Sequence, residues 1–438
     1  MTPPLRLRRS SEIPCIIRGA TVVDSTLRPP RTSDVFIAQG RIQAVAPRLD
    51  APAGVEIVDG SGAWLLPGWI DLQVNDAEWL SAGPKSLEAH AARVAAVAQA
   101  QAERGVTGLI LATLAAPLEE VITYLQGMRL ALDRGEPAGA KTFFGALVEG
   151  TFMNPAHSGA QNPAFVLRPD RATLDRLLDT GAVRCINIAP EMSEDAIELV
   201  RHATARGVVV GAGHSNAHAV RLRAAAEAGL RYSIHLGNGP TGTSWKAFDD
   251  GGFLEEALRN DAIVATIILD GWHVHPQLAR DWIERKEPSR VALVSDAGFA
   301  LSLPQGEFQV FGIRGAVAEG GRYLRVVPRQ GAAAPNPHAA GAAPLFGSAV
   351  GMCEVFENAV NLLRRAMPGV HCRLHTERTL PEAVRAAAVM CSSTPARLLG
   401  LADRGRIEAG LRSDLLLAEI APDPQGAVRV SLRCVWAG

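Results

Sequence analysis

The residues in this chain best placed to do chemistry are histidines and carboxylates that end short apolar runs. They occur in Ala146-Leu147-Val148-Glu149-Gly150, Gly211-Ala212-Gly213-His214, Ile234-His235, Asp270-Gly271-Trp272-His273 and Ser295-Asp296. A carboxylate and two imidazoles brought to one point offer three ligands to a divalent cation and leave a fourth position open, as in a catalytic rather than a structural metal site. Glu149, His214 and His235 are the candidate set. Either histidine alone reads more readily as a hydrogen-bonded rim residue, and a lone Glu after a strand is commonly a surface carboxylate, so Glu149 rests mainly on the resemblance given below. Two histidines, each directly after an apolar run, shift the balance toward ligation. A cation held there lowers the pKa of its water toward roughly 7 and polarises a carbonyl. Asp296 is placed to take a proton from that water and pass it to a leaving amine, unless it only caps the segment that follows. His273 is a candidate donor to a substrate carbonyl, because Asp270-Gly271 permits a close turn into the site; His273-Val274-His275 also reads as two rim histidines, one of them structural. His90, His157, His202, His218, His338, His371 and His375 read as surface residues of helices or loops.

Side chains this far apart in sequence meet only if the elements that carry them are arranged in a ring. Between Trp64 and Asp296 a short apolar run, a turn and a segment of helical periodicity recur. Eight runs read as strands: Leu65 to Leu72, Gly108 to Leu114, Phe143 to Glu149, Val183 to Pro190, Val208 to His214, Tyr232 to His235, Ile263 to Asp270 and Val291 to Asp296. Each is apolar nearly throughout, as expected of parallel strands covered on both faces. Ser86 to Arg104, Ser193 to Arg206 and Ala217 to Ala228 read as helices, the second starting at Ser193 with acids near the positive end of its dipole. Strand then helix, eight times over, predicts an α/β fold, the (β/α)8 TIM barrel, with its active site at the carboxyl ends of the strands. Residues 14–60 and 406–438 carry short β-like pieces instead, which pair into one small domain. The expected division is therefore 1–60 with 406–438 for the small domain and 61–405 for the barrel. Phe308 to Val327 reads as further strands with a Glu319-Gly320-Gly321 turn, Arg329 to Pro344 as an Ala/Pro/Gly-rich loop, and Ser348 to Arg365 and Pro381 to Leu399 as helices.

Composition narrows the class. The chain has 438 residues with 44 Lys and Arg against 45 Asp and Glu, a formal net charge of −1, so it has no basic surplus to neutralise a nucleic-acid backbone. At 47% hydrophobic and 20% charged residues it has the apolar content to fold. Its longest apolar runs are strand-sized, which predicts no membrane span. Arg6, Arg8 and Arg9 are followed only by the short block Ile13 to Ile17, too little for a secretory signal, so a cytoplasmic location is expected. Cys15, Cys185, Cys353, Cys372, Cys391 and Cys434 are scattered with no CxxC, against a disulfide framework or a zinc ribbon.

At these residues the sequence resembles the N-acetylglucosamine-6-phosphate deacetylase family of the amidohydrolase superfamily. The stretch Leu66-Pro67-Gly68-Trp69-Ile70-Asp71-Leu72-Gln73-Val74-Asn75 is similar to that family's first barrel strand, in the variant with Gln and Asn where many amidohydrolases carry an HxH metal pair. Val148-Glu149-Gly150, Asn162-Pro163, Ala189-Pro190-Glu191-Met192, Gly213-His214-Ser215-Asn216-Ala217, His235-Leu236-Gly237-Asn238, Asp270-Gly271-Trp272-His273-Val274, Val294-Ser295-Asp296-Ala297 and Gly347-Ser348 follow in the family's order. The resemblance runs from about residue 14 to the C-terminus. It implies a barrel with a small β-sandwich built from both termini and one divalent metal, Zn²⁺, on Glu149, His214 and His235. It further implies Asp296 as general acid/base and His273 orienting the amide carbonyl. Asn238, Gly239, Gln161 and Gln73 would lie against the substrate, a small N-acyl amino sugar, and the protein would be a homodimer.

Departures concern the substrate rather than the metal. Where the family usually has an Arg that reaches the sugar phosphate, this chain reads Pro240-Thr241-Gly242-Thr243-Ser244-Trp245-Lys246, and the family's Gly-x-His-Asn-Pro segment reads Gly159-Ala160-Gln161-Asn162-Pro163. Lys246 or Thr243 would replace a bidentate guanidinium only as a point charge or a neutral donor. The expectation is a metal-dependent hydrolase removing an acetyl or other acyl group from an amino sugar or its phosphate. The alternatives are an amidohydrolase of another N-acyl or cyclic amide, or a catalytically silent binding relative.

Overall fold

The structure, a computed structural model, describes residues 6–9, 14–24, 29–76, 79, 81–135, 142–238, 250–297, 306–317, 323–327, 345–367 and 375–437. Its centre is a ring of eight strands in sequential order. These are β1 (Trp69–Asn75), β2 (Val106–Ala112), β3 (Phe143–Phe152), β4 (Val183–Ile188), β5 (Val209–Ala212), β6 (Leu230–Ser233), β7 (Val264–Ile268) and β8 (Val291–Val294). Every neighbouring pair between β1 and β8 is parallel. The ring closes between the last residues of β1 and the residues just beyond β8, where Asn75 N donates to Ala297 O (3.0 Å) and Asp296 N donates to Gln73 O (3.1 Å).

All seven residues of β1 and of β2 are buried, because one face of each strand fills the barrel and the other packs on helices. Ile70, Leu72, Ile110, Leu147, Ile268 and Val294 form the inner core. Burying one such side chain contributes about 1.5–3 kcal/mol. Around the ring run α1 (Leu87–Ala102), α2 (Leu118–Arg134), α3 (Arg171–Leu178), α4 (Ala196–Ala205), α5 (Ala219–Ala228), α6 (Phe253–Arg259), α7 (Pro276–Lys286), α8 (Met352–Leu363) and α9 (Leu380–Ala388). Ser86 caps α1 by accepting from Ala89 N (3.2 Å). Helix α4 begins later than the expected Ser193, because Ser193 Oγ accepts from Asp195 N (3.3 Å) and Pro190–Met192 forms a 3-10 turn first. The helical segment after α9 passes through a π-helical turn at Val389–Ser393 before Thr394–Leu398.

The strand expected over Leu65 to Leu72 is two strands. Trp64–Pro67 belongs to a second sheet and Trp69–Asn75 to the barrel, with Gly68 as the pivot. A Cβ at Gly68 would lie 2.1 Å from Thr107 Oγ1, so the step between sheets admits only glycine. The second sheet joins both ends of the chain, in the order Arg6–Arg9, Val428–Ala437, Leu415–Pro422, Trp64–Pro67, Cys15–Val22, Arg31–Ala38, Arg41–Ala46, with Glu56–Asp59 also paired to Cys15–Val22. It has its own core of Ile17, Val35, Ile37, Leu65, Leu415 and Trp436.

A third sheet of four antiparallel strands follows β8: β9 (Glu307–Val310), β10 (Ile313–Val317), β11 (Tyr323–Val326) and β12 (Leu345–Ser348). The expected Glu319-Gly320-Gly321 turn and the loop Arg329 to Pro344 lie outside the described residues. This sheet sits against the carboxyl ends of the barrel strands: Ser348 bridges Ala297, Tyr323 lies 4.7 Å from the Trp272 ring, and Asn162 Nδ2 donates to Phe311 O (2.9 Å).

Two histidines expected at the surface are buried. His90 lies between α1 and α2, accepts from Trp79 Nε1 (3.0 Å) and faces the Tyr124 ring at 5.1 Å. His375 packs beside Asp281, with Nε2 at 3.6 Å from its carboxylate. A neutral imidazole supplies one donor and one acceptor on a compact ring, so it can be buried where a partner exists. His338 and His371 lie outside the described residues. Cys15, Cys185, Cys353, Cys391 and Cys434 are free thiols, and Cys372 is outside the described residues. Among the described residues no helix is long and apolar enough to cross a membrane.

Candidate active site

Glu149 lies within β3, which runs to Phe152, three residues past the expected end. A Cβ on Gly150 would come within 1.9 Å of Ala115 N, so the close approach of β3 to the chain leaving β2 requires glycine directly after Glu149. Asn187, on β4, donates from Nδ2 to Glu149 O (3.1 Å) and accepts at Oδ1 from Gly213 N (2.8 Å). One buried amide thus sets β3 in register with the residue before His214.

His214, His235 and Asp296 each follow a strand and each has left-handed backbone, with φ of 48°, 29° and 50°. Such φ values are uncommon outside glycine and cluster where function demands a sharp turn. The His214 loop is held by Glu191, whose carboxylate accepts from Ser215 Oγ (2.7 Å), Asn216 N (2.6 Å) and Asn154 Nδ2 (3.1 Å). The His235 turn is held by Thr266 on β7: its Oγ1 accepts from His235 N (2.7 Å) and donates to Ser233 O (2.9 Å).

These supports bring three side chains together. Glu149 Oε1 lies 3.2 Å from His214 Nε2 and 2.8 Å from His235 Nε2, all three residues are buried, and their ligand atoms fall within 4.8 Å of one another. His214 Nδ1 faces His157 O at 2.8 Å and can only donate to it. A neutral His214 ring therefore turns its Nε2 lone pair toward an anionic oxygen, a repulsive contact that a cation between them would relieve. The Nδ1–H bond to a carbonyl is also the outer support usual for a metal-ligating imidazole. The donor set fits a divalent cation. Burial opposes ionisation of Glu149, yet where the His214 and His235 rings carry Nε2 protons their hydrogen bonds outweigh that and hold its pKa down to about 2. Burial likewise opposes charge on His235, but the Glu149 carboxylate raises its pKa above the ordinary value. His235 Nδ1 is buried with no partner among the described residues.

Asp296 is buried at the barrel seam. Burial pushes its pKa up to about 6, with the His235 and His273 charges pulling down and the Glu149 charge pushing up. Asn75 Nδ2 donates to its Oδ1 (2.7 Å) and to its carbonyl (3.1 Å). One turn beyond β7, Asp270 organises His273: its Oδ2 lies 2.7 Å from His273 Nδ1, and its Oδ1 accepts from the amides of Trp272 (2.8 Å) and His273 (2.9 Å). His275 faces elsewhere, capping α7 by accepting from Gln277 N (3.3 Å). Of the four residues expected against the substrate, Gln73 is buried with Nε2 unpartnered among the described residues, and Gln161 Oε1 accepts from Ala115 N (2.7 Å). Asn238 folds back, its Nδ2 donating to His235 O (3.3 Å), and Gly239 lies outside the described residues.

Sequence reasoning passes over Asn187 and Thr266, and quotes Glu191 within a family motif without giving it a role. Asn187 and Thr266 interrupt apolar strands with a polar side chain, which is the one signal available for them. Asp270 was read as a turn residue; its spacing of three before His273 is the signal that it holds the ring.

The chain is 25% identical to the N-acetylglucosamine-6-phosphate deacetylase of Lysinibacillus sphaericus over 92% of its own length and 93% of that protein's. It is 29% identical to the N-acetylgalactosamine-6-phosphate deacetylase of Escherichia coli O157:H7 over 63% and 70% of the two chains. The crystal structure of N-acetylglucosamine-6-phosphate deacetylase from Pasteurella multocida shares the fold, with a TM-score of 0.75 at 19% identity over 97% of this chain and all of that one. The Amidohydrolase family model spans residues 64–433, from the strand before the Gly68 pivot through the barrel to the last strand, and the chain belongs to that family.

Proposed function

We propose that this chain hydrolyses the N-acetyl or a related N-acyl amide of an amino sugar or amino-sugar phosphate, with one divalent cation, zinc, held by Glu149, His214 and His235. The observation that carries the reading is the convergence of those three buried side chains beside the buried carboxyl of Asp296 at the strand ends of an amidohydrolase barrel. Support for the substrate class comes from the amino-sugar-phosphate deacetylases to which the chain is similar.

When bound, the cation supplies Lewis-acid polarisation of the amide carbonyl and an activated water. Asp296 accepts the proton released as water attacks, then delivers it to the departing nitrogen. His273, its Nδ1–H donating to Asp270, offers an Nε2–H to the acyl oxygen when the ring carries both protons. Gln73, Gln161, Asn238 and Gly239 hold the sugar. The segment Pro240 to Lys246 contains no arginine, so phosphate is the part of the substrate this chain is expected to grip least. That feature favours a second reading in which the substrate is a non-phosphorylated N-acyl compound.

The test is deacylation by the zinc-loaded protein over a panel of N-acetyl amino sugars with and without a 6-phosphate, extended to other N-acyl and cyclic amides. Turnover of an acetamido sugar is expected, with kcat/KM for the free sugar equal to or above that for its phosphate. No release of acyl group from any member sinks the proposal, and a strong preference for the phosphate assigns its recognition to Lys246 or another group. Gel filtration tests the homodimer that the resemblance implies.

A further inference from the structure

We infer that Asn75 is a positioning residue for Asp296: it fastens one carboxylate oxygen and the backbone of the same aspartate, leaving the other oxygen as the atom that moves protons. The inference rests on the role given to Asp296 in the proposed function. Asn75 Nδ2 lies 2.7 Å from Asp296 Oδ1 and 3.1 Å from Asp296 O, so a single NH2 group spans side chain and main chain. Both residues are buried, and Asn75 is itself fixed by its own amide donating to Ala297 O (3.0 Å). Three more contacts hold the aspartate in its left-handed conformation. Its amide donates to Gln73 O (3.1 Å), its carbonyl accepts from Ser348 N (3.0 Å), and Gly347 leaves room beside it, since a Cβ there would lie 2.9 Å from Asp296 O. Next to it, Ser295 N and Oγ donate to the buried Asp71 carboxyl on β1. No hydrogen bond fastens Oδ2 of Asp296 among those described, whereas Oδ1 is occupied by Asn75. An acid/base that must receive and return one proton needs one free oxygen and a fixed plane, and the seam provides both.

The test uses the zinc-loaded full chain with Asn75→Ala and Asn75→Asp. For Asn75→Ala, zinc content and KM stay within about twofold of the parent while kcat falls on the order of 100-fold, the size of loss that misplacing a reacting group by about 1 Å causes. The acid limb of kcat/KM also moves up in pH, because the Asp296 carboxylate has lost a donor; Glu149, His235, His273 and Asp71, the charged groups around it, are unchanged. Asn75→Asp places two carboxyls together and lowers kcat further. A crystal structure of Asn75→Ala, which needs no turnover, shows the Asp296 carboxyl rotated away from its parent position. Parent-like kcat with Asp296 unmoved overturns the inference, as does loss of zinc in step with activity, which would make Asn75 a support of the metal. A parent inactive on the whole panel, with Asp296 displaced in the variant crystal, refutes the proposed function and leaves the positioning role standing.

Discussion

His214 and His235 meet on one oxygen of Glu149, and that contact makes the metal experiments sharp. Either His214→Ala or His235→Ala removes one of the three proposed ligands, so zinc measured by elemental analysis after dialysis is expected to drop well below one equivalent. Unchanged zinc in either variant would refute the ligand set. Asp296→Asn preserves the shape of the seam but removes the proposed proton acceptor. It is expected to retain zinc and to lose on the order of 100-fold or more in kcat. At this scale the convergence of Glu149, His214 and His235 was legible, because each is an ionisable residue closing an apolar run. The sequence was not legible where the supporting residue is a neutral amide or hydroxyl inside a strand: nothing in the pattern around Asn187 or Thr266 says which neighbour it will bond. The burial of His90 and His375 was missed for the related reason that a histidine's environment is tertiary.

The eight apolar runs each overlap a barrel strand, because strands covered on both faces carry a continuous hydrophobic signature. Their ends were less legible. His214, His235 and Asp296 lie past the last ladder residues of β5, β6 and β8, and only the positive φ at each shows that the chain has already turned. The split at Gly68 was hidden because both halves are apolar, so no change of pattern marks the passage from one sheet to another. Asn187 links these elements, and its replacement by Ala strands a carbonyl on β3 and an amide at the end of β5. Unfolding by denaturant is expected to show a loss of about 1–3 kcal/mol. Zinc affinity should weaken as well, because Glu149 and His214 lose their common register; unaltered stability and affinity would show that the amide is dispensable.

At the scale of the whole molecule, a buried acid contributes a pH dependence of folding. Burial pushes the Asp71 carboxyl up to about 7, against about 3.9 for an exposed aspartate. The folded chain therefore holds a proton that the unfolded chain releases between about pH 4 and 7, and stability from this group is complete below pH 4 and is lost as pH rises through 7. Asp71→Asn keeps a side chain able to bond Ser295 and removes the titration. Thermal melts at pH 5 and pH 8 should show a smaller fall in Tm for the variant than for the parent; an equal fall would place the pH dependence elsewhere. The seam where this acid lies has a wider consequence. Because the bonds that shut the cylinder between its first and last staves also seat Asp296, a molecule whose cylinder springs open loses its proposed proton carrier in the same event. Loss of turnover during denaturation should track the parting of those two staves and run ahead of the melting of the outer helices.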